Sequence, residues 1–173
     1  MKKVIVLIAL IVAPAVSFGQ SIFDKLENME SVSSVVINKD AFEILSKFNL
    51  DSNDSEEMEI FKIIQNLKEF KVFKTSNSGV STKMEQMVSN EIKKSKLTLL
   101  MRAKDEGSKV RIYVKTGKNK NYVSEVLMFV NGISERTNGQ AESVVLSLTG
   151  MIDINKISKI ADKYSKDSKK NKK

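Results

Sequence analysis

Residues 97–131, LTLLMRAKDEGSKVRIYVKTGKNKNYVSEVLMFVN, determine the fold of this chain. Three runs in this stretch, Leu97–Lys104, Lys109–Thr116 and Tyr122–Asn131, alternate as β-strands do, and a fourth run covers Ser143–Thr149. The segments between the runs are short and polar, and each contains Gly. Such segments are typical of hairpin loops, which join antiparallel neighbours. The sequence therefore predicts a four-stranded meander in the second half of the chain.

The first half adds helices and further strands. The β-branched stretch at residues 31–38 and the segment from Phe70 to Thr75 predict one or two N-terminal strands. Apolar residues at helical spacing predict helices near residues 56–68 and 80–94 and after Asp153. We therefore predict an α+β fold, a two-layer sandwich of a mainly antiparallel sheet with helices packed on one face.

The N-terminus has the pattern of a secretory signal peptide. Lys2 and Lys3 precede an apolar run, Val4–Val16, and the small residues Ser17 and Gly19 follow it. The run is shorter than the roughly 20 residues that a membrane-spanning helix needs. We expect residues 1–19 to be removed and the chain to be exported, to the periplasm or beyond. With no Cys in the sequence, it is not expected to be lipid-anchored through cysteine.

The net charge of +8 is concentrated at the two ends. Two Lys belong to the leader, and residues 163–173 contain six Lys and one Asp, so residues 20–162 are nearly neutral. We predict one α+β domain over residues 20–162 and a disordered Lys-rich tail over 163–173. The tail is either a solvated end or a weak peripheral contact to anionic membrane surfaces, and its candidate residues are Lys169, Lys170, Lys172 and Lys173. Nucleic acid is not an expected partner, because aromatic residues do not alternate with the Lys residues.

The residues that most often carry out chemistry are missing. The chain has no His, Cys or Trp, and its Ser and Lys residues lie in no recognisable nucleophile motif. The carboxylates between Asp51 and Glu57 lack the Gly and the spacing of a calcium loop, and negative charge at a helix N-terminus explains them better. We predict no catalytic residue, cofactor or metal. The alternative is a carboxylate-based hydrolase or lyase.

The central strands are apolar on both sides. Tyr113, Val123, Leu127 and Phe129 are assigned to one side of the predicted sheet, although a sheet covered by helices on one face usually exposes polar residues on the other. Two interpretations remain open. Either these residues form an exposed face that binds a partner or a second copy, or they are covered, because the N-terminal helices pack on the far face or because this strand is central in the sheet.

Three stretches of the second half resemble a known family. VRIYVK (Val110–Lys115), SEVLMFVNG (Ser124–Gly132) and SVVLSLTGMIDINKISKI (Ser143–Ile160) are similar to the family called domain of unknown function 4252. The resemblance implies a small exported protein of envelope-bearing bacteria, several relatives being lipoproteins, with genes often associated with extracytoplasmic-function sigma factors. It supplies no catalytic residues.

Together these features predict a non-enzymatic exported protein that acts as a binding or interaction module in the cell envelope. The resemblance adds a link to envelope sensing or stress. The expected partner is an unidentified envelope protein or a second copy of the chain.

Overall fold

One open antiparallel sheet organises the computed structural model, which describes residues 21–47, 66–117, 119 and 121–155. Its strands are β1 (Ser33–Asn38), β2 (Leu67–Thr75), β3 (Thr98–Asp105), β4 (Ser108–Thr116), β5 (Tyr122–Asn131) and β6 (Ser143–Asp153). Their order across the sheet is β1-β2-β6-β5-β4-β3, and each adjacent pair is antiparallel. The predicted meander is confirmed as β3-β4-β5-β6, and two N-terminal strands extend the sheet beyond β6.

The hairpin between β3 and β4 has the shortest loop that reverses a strand. Glu106 and Gly107 separate the paired residues Asp105 and Ser108, and both have positive φ angles, 45° and 85°. Paired positive φ angles match the right-handed twist of the flanking strands. Ser108 Oγ donates a hydrogen bond to the Gly132 carbonyl at 2.8 Å, which ties the hairpin to the end of β5.

The described residues contain three helices beside the sheet, α1 (Ile22–Glu27), α2 (Lys39–Lys47) and α3 (Ser78–Lys94), and a 3₁₀ turn at Glu135–Thr137. Each described helix begins at a side-chain cap, which satisfies one of the backbone N–H groups left free there. Ser21 accepts from Phe23 N, Asn38 from Ala41 N and Asn77 from Val80 N. None of these helices has both the length and the hydropathy to span a membrane.

The larger core cluster lies between the sheet and the helices α1 and α3. It contains Ile22, Phe23, Leu26, Phe73, Met84, Val88, Leu97, Leu127, Phe129 and Val145. The rings of Phe23 and Phe73 stack with their centres 6.0 Å apart and their planes 14° from parallel. Helix α3 therefore covers the centre of the sheet, and α1 fills the space beside it.

A second core cluster lies on the opposite face of the sheet. Phe42 of α2 is buried there with Leu67, Val114, Val123, Val126 and Ile152. The prediction that helices pack on one face is therefore wrong, because α2 places an aromatic side chain on the other face. The antiparallel sheet with a few helices, the coarser part of the prediction, is confirmed.

Two boundaries differ from those predicted. The sequence predicts a helix near residues 56–68, but Leu67 begins strand β2. Residues 56–65 of the predicted helix lie outside the described residues. The run predicted from the sequence ends at Thr149, yet β6 continues through Gly150 to Asp153. Asp153 does cap a following turn, since its Oδ1 accepts from Asn155 N at 2.9 Å. The leader and the Lys-rich tail also lie outside the described residues.

Candidate interaction surface

The predicted interaction face is inside the molecule. Val123, Leu127 and Phe129 are each at most 1 % exposed, and Tyr113 packs half-buried against the larger cluster. The expectation that these residues form an exposed face is wrong, because α1 and α3 cover Leu127 and Phe129. Of the two open interpretations, the structure shows the one in which these residues are covered, with helices on both faces.

Val123 does not share a face with Leu127 and Phe129. It belongs to the second cluster with Val126 and Ile152, whereas Leu127 and Phe129 belong to the first. The pairing of β5 with both β4 and β6 changes register between Val123 and Glu125. A change of register by one residue moves the following side chains to the other face, and strict alternation read from sequence cannot detect it.

Strand β3 is the most exposed element of the sheet. It lies at one edge of the sheet, where β4 is its one partner among the described strands, and all eight of its residues are exposed. Three apolar side chains occur in succession, with Leu99 44 %, Leu100 53 % and Met101 47 % exposed. An edge strand carries a row of backbone N–H and C=O groups that a further strand can pair with. Strand β3 is therefore a ready template for strand addition.

Strand β1 forms the opposite edge and is shorter. It has six residues, of which Val35 and Val36 are exposed apolar positions. It is flanked closely by other elements, since Asn38 at its end caps α2 and the carbonyl of Ser31 just before it accepts from Thr75 Oγ1 at 2.6 Å. Strand β1 thus offers less free length than β3.

A cationic groove runs beside β3 on the side of the sheet that carries α3. Its volume is about 480 Å³, and its lining consists of Arg102, Ala103 and Lys104 from β3, Lys109 and Arg111 from β4, and Glu85 from α3. The groove therefore has four cationic side chains and one carboxylate. Charged pairs of one sign lie directly opposite each other across the two strands, Arg102 with Arg111 and Lys104 with Lys109.

The single carboxylate of the groove is already engaged. Arg111 Nη2 donates to Glu85 Oε1 in an ion pair, and Asn131 Nδ2 donates to Glu85 Oε2 at 3.4 Å. The hydrogen bond that Arg111 donates to Glu85 raises the pKa of Arg111, so this side chain stays charged. The Arg111 guanidinium also lies 5.5 Å from the centre of the Phe129 ring. Arg102, Lys104 and Lys109 form no ion pair within the described parts of the chain.

A second, smaller cavity lies between α1 and α3. Its volume is about 250 Å³, and Lys25, Met87, Glu91 and Lys94 are among the residues that line it. Ser95 Oγ donates to the Glu91 carboxylate. The nearby Glu125 does not line this cavity, but burial raises its pKa, and the negative charge of Glu91 adds to the rise while Lys115 opposes it. Only one carboxylate thus faces the cavity.

Replacing Glu125 with Gln is expected to raise stability at neutral pH. Because its folded pKa is above the ordinary value of 4.5, the folded chain holds this proton over a pH range where the unfolded chain has lost it. Stability therefore falls as pH rises through that range. Glu125→Gln removes this loss of stability. The free energy of unfolding at pH 7 should rise by less than about 1 kcal/mol, since the side chain is only partly buried.

Urea unfolding of both proteins at pH 4 and pH 7 measures this difference. The variant's advantage should be present at pH 7 and shrink at pH 4, while Glu135→Gln at an exposed position should change neither value. A Glu125→Gln variant that is less stable than the original chain at pH 7 would contradict the assignment.

The β3 edge and the groove beside it were not predicted from the sequence. The signal was present as three apolar residues followed by Arg102, Ala103 and Lys104, in a strand that begins a meander. The candidate tail residues Lys169, Lys170, Lys172 and Lys173 and the carboxylates from Asp51 to Glu57 lie outside the described residues.

Comparison with known proteins gives a match to a family model and none to an individual protein. A family model described as Domain of unknown function (DUF4252) matches residues 25–160, which is well over half of the chain. No curated protein matches the chain, and no solved structure does. The matched range includes the whole described sheet.

Proposed function

The chain belongs to the family of domain of unknown function 4252, and from its surface we propose that it is an exported, non-enzymatic interaction module that binds an extended segment of a partner protein along β3. The observation that carries this proposal is the exposure of all eight residues of an edge strand. The role in envelope sensing or stress rests on the resemblance and on the leader-like residues 1–19.

Strand addition supplies affinity through main-chain hydrogen bonds and selectivity through alternate side chains. On β3, Leu99 pairs with Tyr113 and Met101 pairs with Ile112, so these two apolar side chains lie on opposite faces of the sheet. An added strand would cover apolar surface on both faces. Folded proteins usually shorten, charge, kink or cover their edges. Strand β3 carries Arg102 and Lys104 and changes register at Leu100, yet its run from Leu99 to Met101 is apolar and exposed, and this run is the surface that we propose for binding.

The enzymatic alternative has weaker support. A carboxylate hydrolase or lyase needs converging Asp or Glu side chains in a pocket. Among the described residues, Glu91 is the one carboxylate that lines the cavity between α1 and α3, and Glu85 in the cationic groove is held by Arg111 and Asn131. We therefore propose binding in preference to catalysis.

Selection from a displayed library of random heptapeptides on the purified chain tests the proposal. Peptides that bind should lose at least about tenfold in affinity to a Leu100→Asp variant, because aspartate removes apolar contact area and disfavours strand structure. Val35→Asp is a matched control on the other edge, since Val35 and Leu100 are 54 % and 53 % exposed. Both variants should keep the circular dichroism spectrum of the original chain.

Two results would contradict this proposal. One is a selection that enriches no peptide, and the other is a set of peptides whose binding falls with Val35→Asp and not with Leu100→Asp. Light scattering supplies a further check, since we expect the chain to be monomeric without its partner. A dimer that Leu100→Asp dissociates would make a second copy the occupant of β3, against the proposal of a different partner.

A further inference from the structure

From the cationic groove we infer the chemistry of the partner: the segment that pairs with β3 is acidic and places carboxylates at alternate positions, next to Arg102 and Lys104. This inference rests on the proposed strand addition and names the class of segment that is added. Its basis is the arrangement of charge across β4 and β3, in which cations lie directly opposite cations.

The cations of the groove form two rows that run across the strands. Arg111 lies opposite Arg102 in one row, and Lys109 lies opposite Lys104 in the other. Like charges directly opposite each other on neighbouring strands destabilise the pair by roughly 0.2–1 kcal/mol. A strand added beside β3 would contribute the third residue of each row. A carboxylate at that place would attract the neighbouring Arg102 or Lys104 and offset the repulsion within the row, as Glu85 already does beside Arg111.

The spacing of the rows sets the spacing of the carboxylates. Arg102 and Lys104 are two positions apart, with Ala103 between them on the other face, paired with Val110. Residues two apart on one strand are separated by about 7 Å and point to the same face. The partner segment should therefore carry Asp or Glu at positions i and i+2, with an apolar residue between them to meet the face of Met101 and Ala103.

Three cationic side chains of the groove are available to pair with the carboxylates of such a segment. Glu85 forms an ion pair with Arg111. By contrast, no ion-pair partner is present for Arg102, Lys104 or Lys109 in the described ranges of the chain. Charge-assisted hydrogen bonds from Arg or Lys to a carboxylate are about twice as strong as neutral ones.

The same charges argue against a second copy of the chain as the occupant. Pairing two β3 strands antiparallel would bring Arg102 and Lys104 of both copies to a single seam. Each cation of the second copy would then lie beside cations of the first, and the repulsion would increase. An acidic segment at the same place would reduce that repulsion. An edge that repels its own copy and attracts an acidic strand is selective for a different protein.

Three heptapeptides of matched length test the inference: Ser-Val-Glu-Val-Glu-Val-Ser, its analogue with Gln for each Glu, and Ser-Val-Glu-Glu-Val-Val-Ser with adjacent carboxylates. Fluorescence anisotropy with the full chain should show the alternating peptide binding about tenfold more tightly than either of the others. Added salt should reduce this preference, because it screens exposed charges.

Substitutions in the protein locate the effect. Arg102→Gln with Lys104→Gln should abolish the preference for Glu over Gln while the Gln peptide still binds. The control double variant, Lys68→Gln with Lys74→Gln, removes the same charge from exposed positions of β2 and should keep the preference.

The outcomes separate the inference from the proposal on which it rests. Equal binding of the Glu and Gln peptides, with both weakened by Leu100→Asp, would overturn the acidic partner and leave strand addition in place. A preference for Glu that survives in the Arg102 and Lys104 variant would place the acidic site elsewhere and would also overturn the inference. No binding of any of the three peptides, together with a library that enriches none, would remove both.

Discussion

Alanine at position 150 is expected to destabilise the chain by about 3 kcal/mol or more, because two unfavourable effects act at this position. Gly150 has a φ angle of 145°, in a region that side chains rarely adopt. A Cβ there would lie 2.5 Å from the Asn66 carbonyl oxygen and 2.8 Å from Leu67 Cα. Both contacts are with backbone, which cannot rotate away, so the start of β2 would have to move.

The location of Gly150 explains why glycine is required in the middle of a strand. β6 is paired with β2 and β5, and both pairings change register beside Gly150, between Leu67 and Glu69 and between Val123 and Glu125. Irregular register brings a neighbouring backbone close, and only a residue without a side chain fits there. The effect should therefore be loss of strand pairing at this end of the sheet.

Thermal unfolding followed by circular dichroism measures this effect, with Gly139→Ala as the control. Gly139 also has a positive φ, 78°, but a Cβ there would meet nothing within 4 Å. Its substitution should cost only about 1 kcal/mol, the usual penalty for leaving glycine at such an angle. Equal losses for the two variants would show that the close approach at Gly150 contributes nothing.

Glutamate at position 129 is expected to unfold the chain. Phe129 is 1 % exposed within the larger core cluster. Removing a buried Phe side chain costs about 3–5 kcal/mol, and burying a carboxylate costs more. Since the whole stability of a domain is about 5–15 kcal/mol, we expect Phe129→Glu to lose the circular dichroism signal of the native sheet at 25 °C. The loss of the ring also removes the contact with Arg111.

The control for Phe129→Glu uses the same substitution on the surface. Leu100→Glu changes an exposed residue of β3 and should leave the native spectrum and the unfolding midpoint within experimental scatter. Phe129→Leu keeps an apolar side chain but leaves a cavity, and should cost less than the roughly 3–5 kcal/mol of full truncation. A folded Phe129→Glu protein, shown by light scattering to have lost a partner copy, would mean that this side chain lies at an interface.

The sequence predicted the sheet more accurately than the site. Alternation and short polar loops were enough to place all four meander strands, since hairpin pairing is decided by neighbours in the chain. The predicted interaction face failed at Val123, Leu127 and Phe129, because whether an apolar strand face is exposed depends on where distant helices pack. Helices α1 and α3 lie far from β5 in sequence, and no local pattern reports that they cover it.

The edge position of β3 could not be predicted from the sequence and was decided by the tertiary structure. A meander has a free first strand unless another strand joins it, and the sequence could not tell whether the N-terminal strands would pair with β3 or with β6. The structure places β2 against β6 and thereby leaves β3 open. The groove then follows from this order, because Arg102, Lys104, Lys109 and Arg111 come together with Glu85 only when α3 lies across the sheet.

Local sequence thus determined the meander strands and their hairpins, since these depend on side-chain alternation, turn residues and nearby pairing. Tertiary structure alone decided which apolar residues are covered, where register shifts, and which strand remains an edge. Those outcomes depend on contacts between residues far apart in the chain, and the free energy of such contacts is not written in any single stretch of sequence.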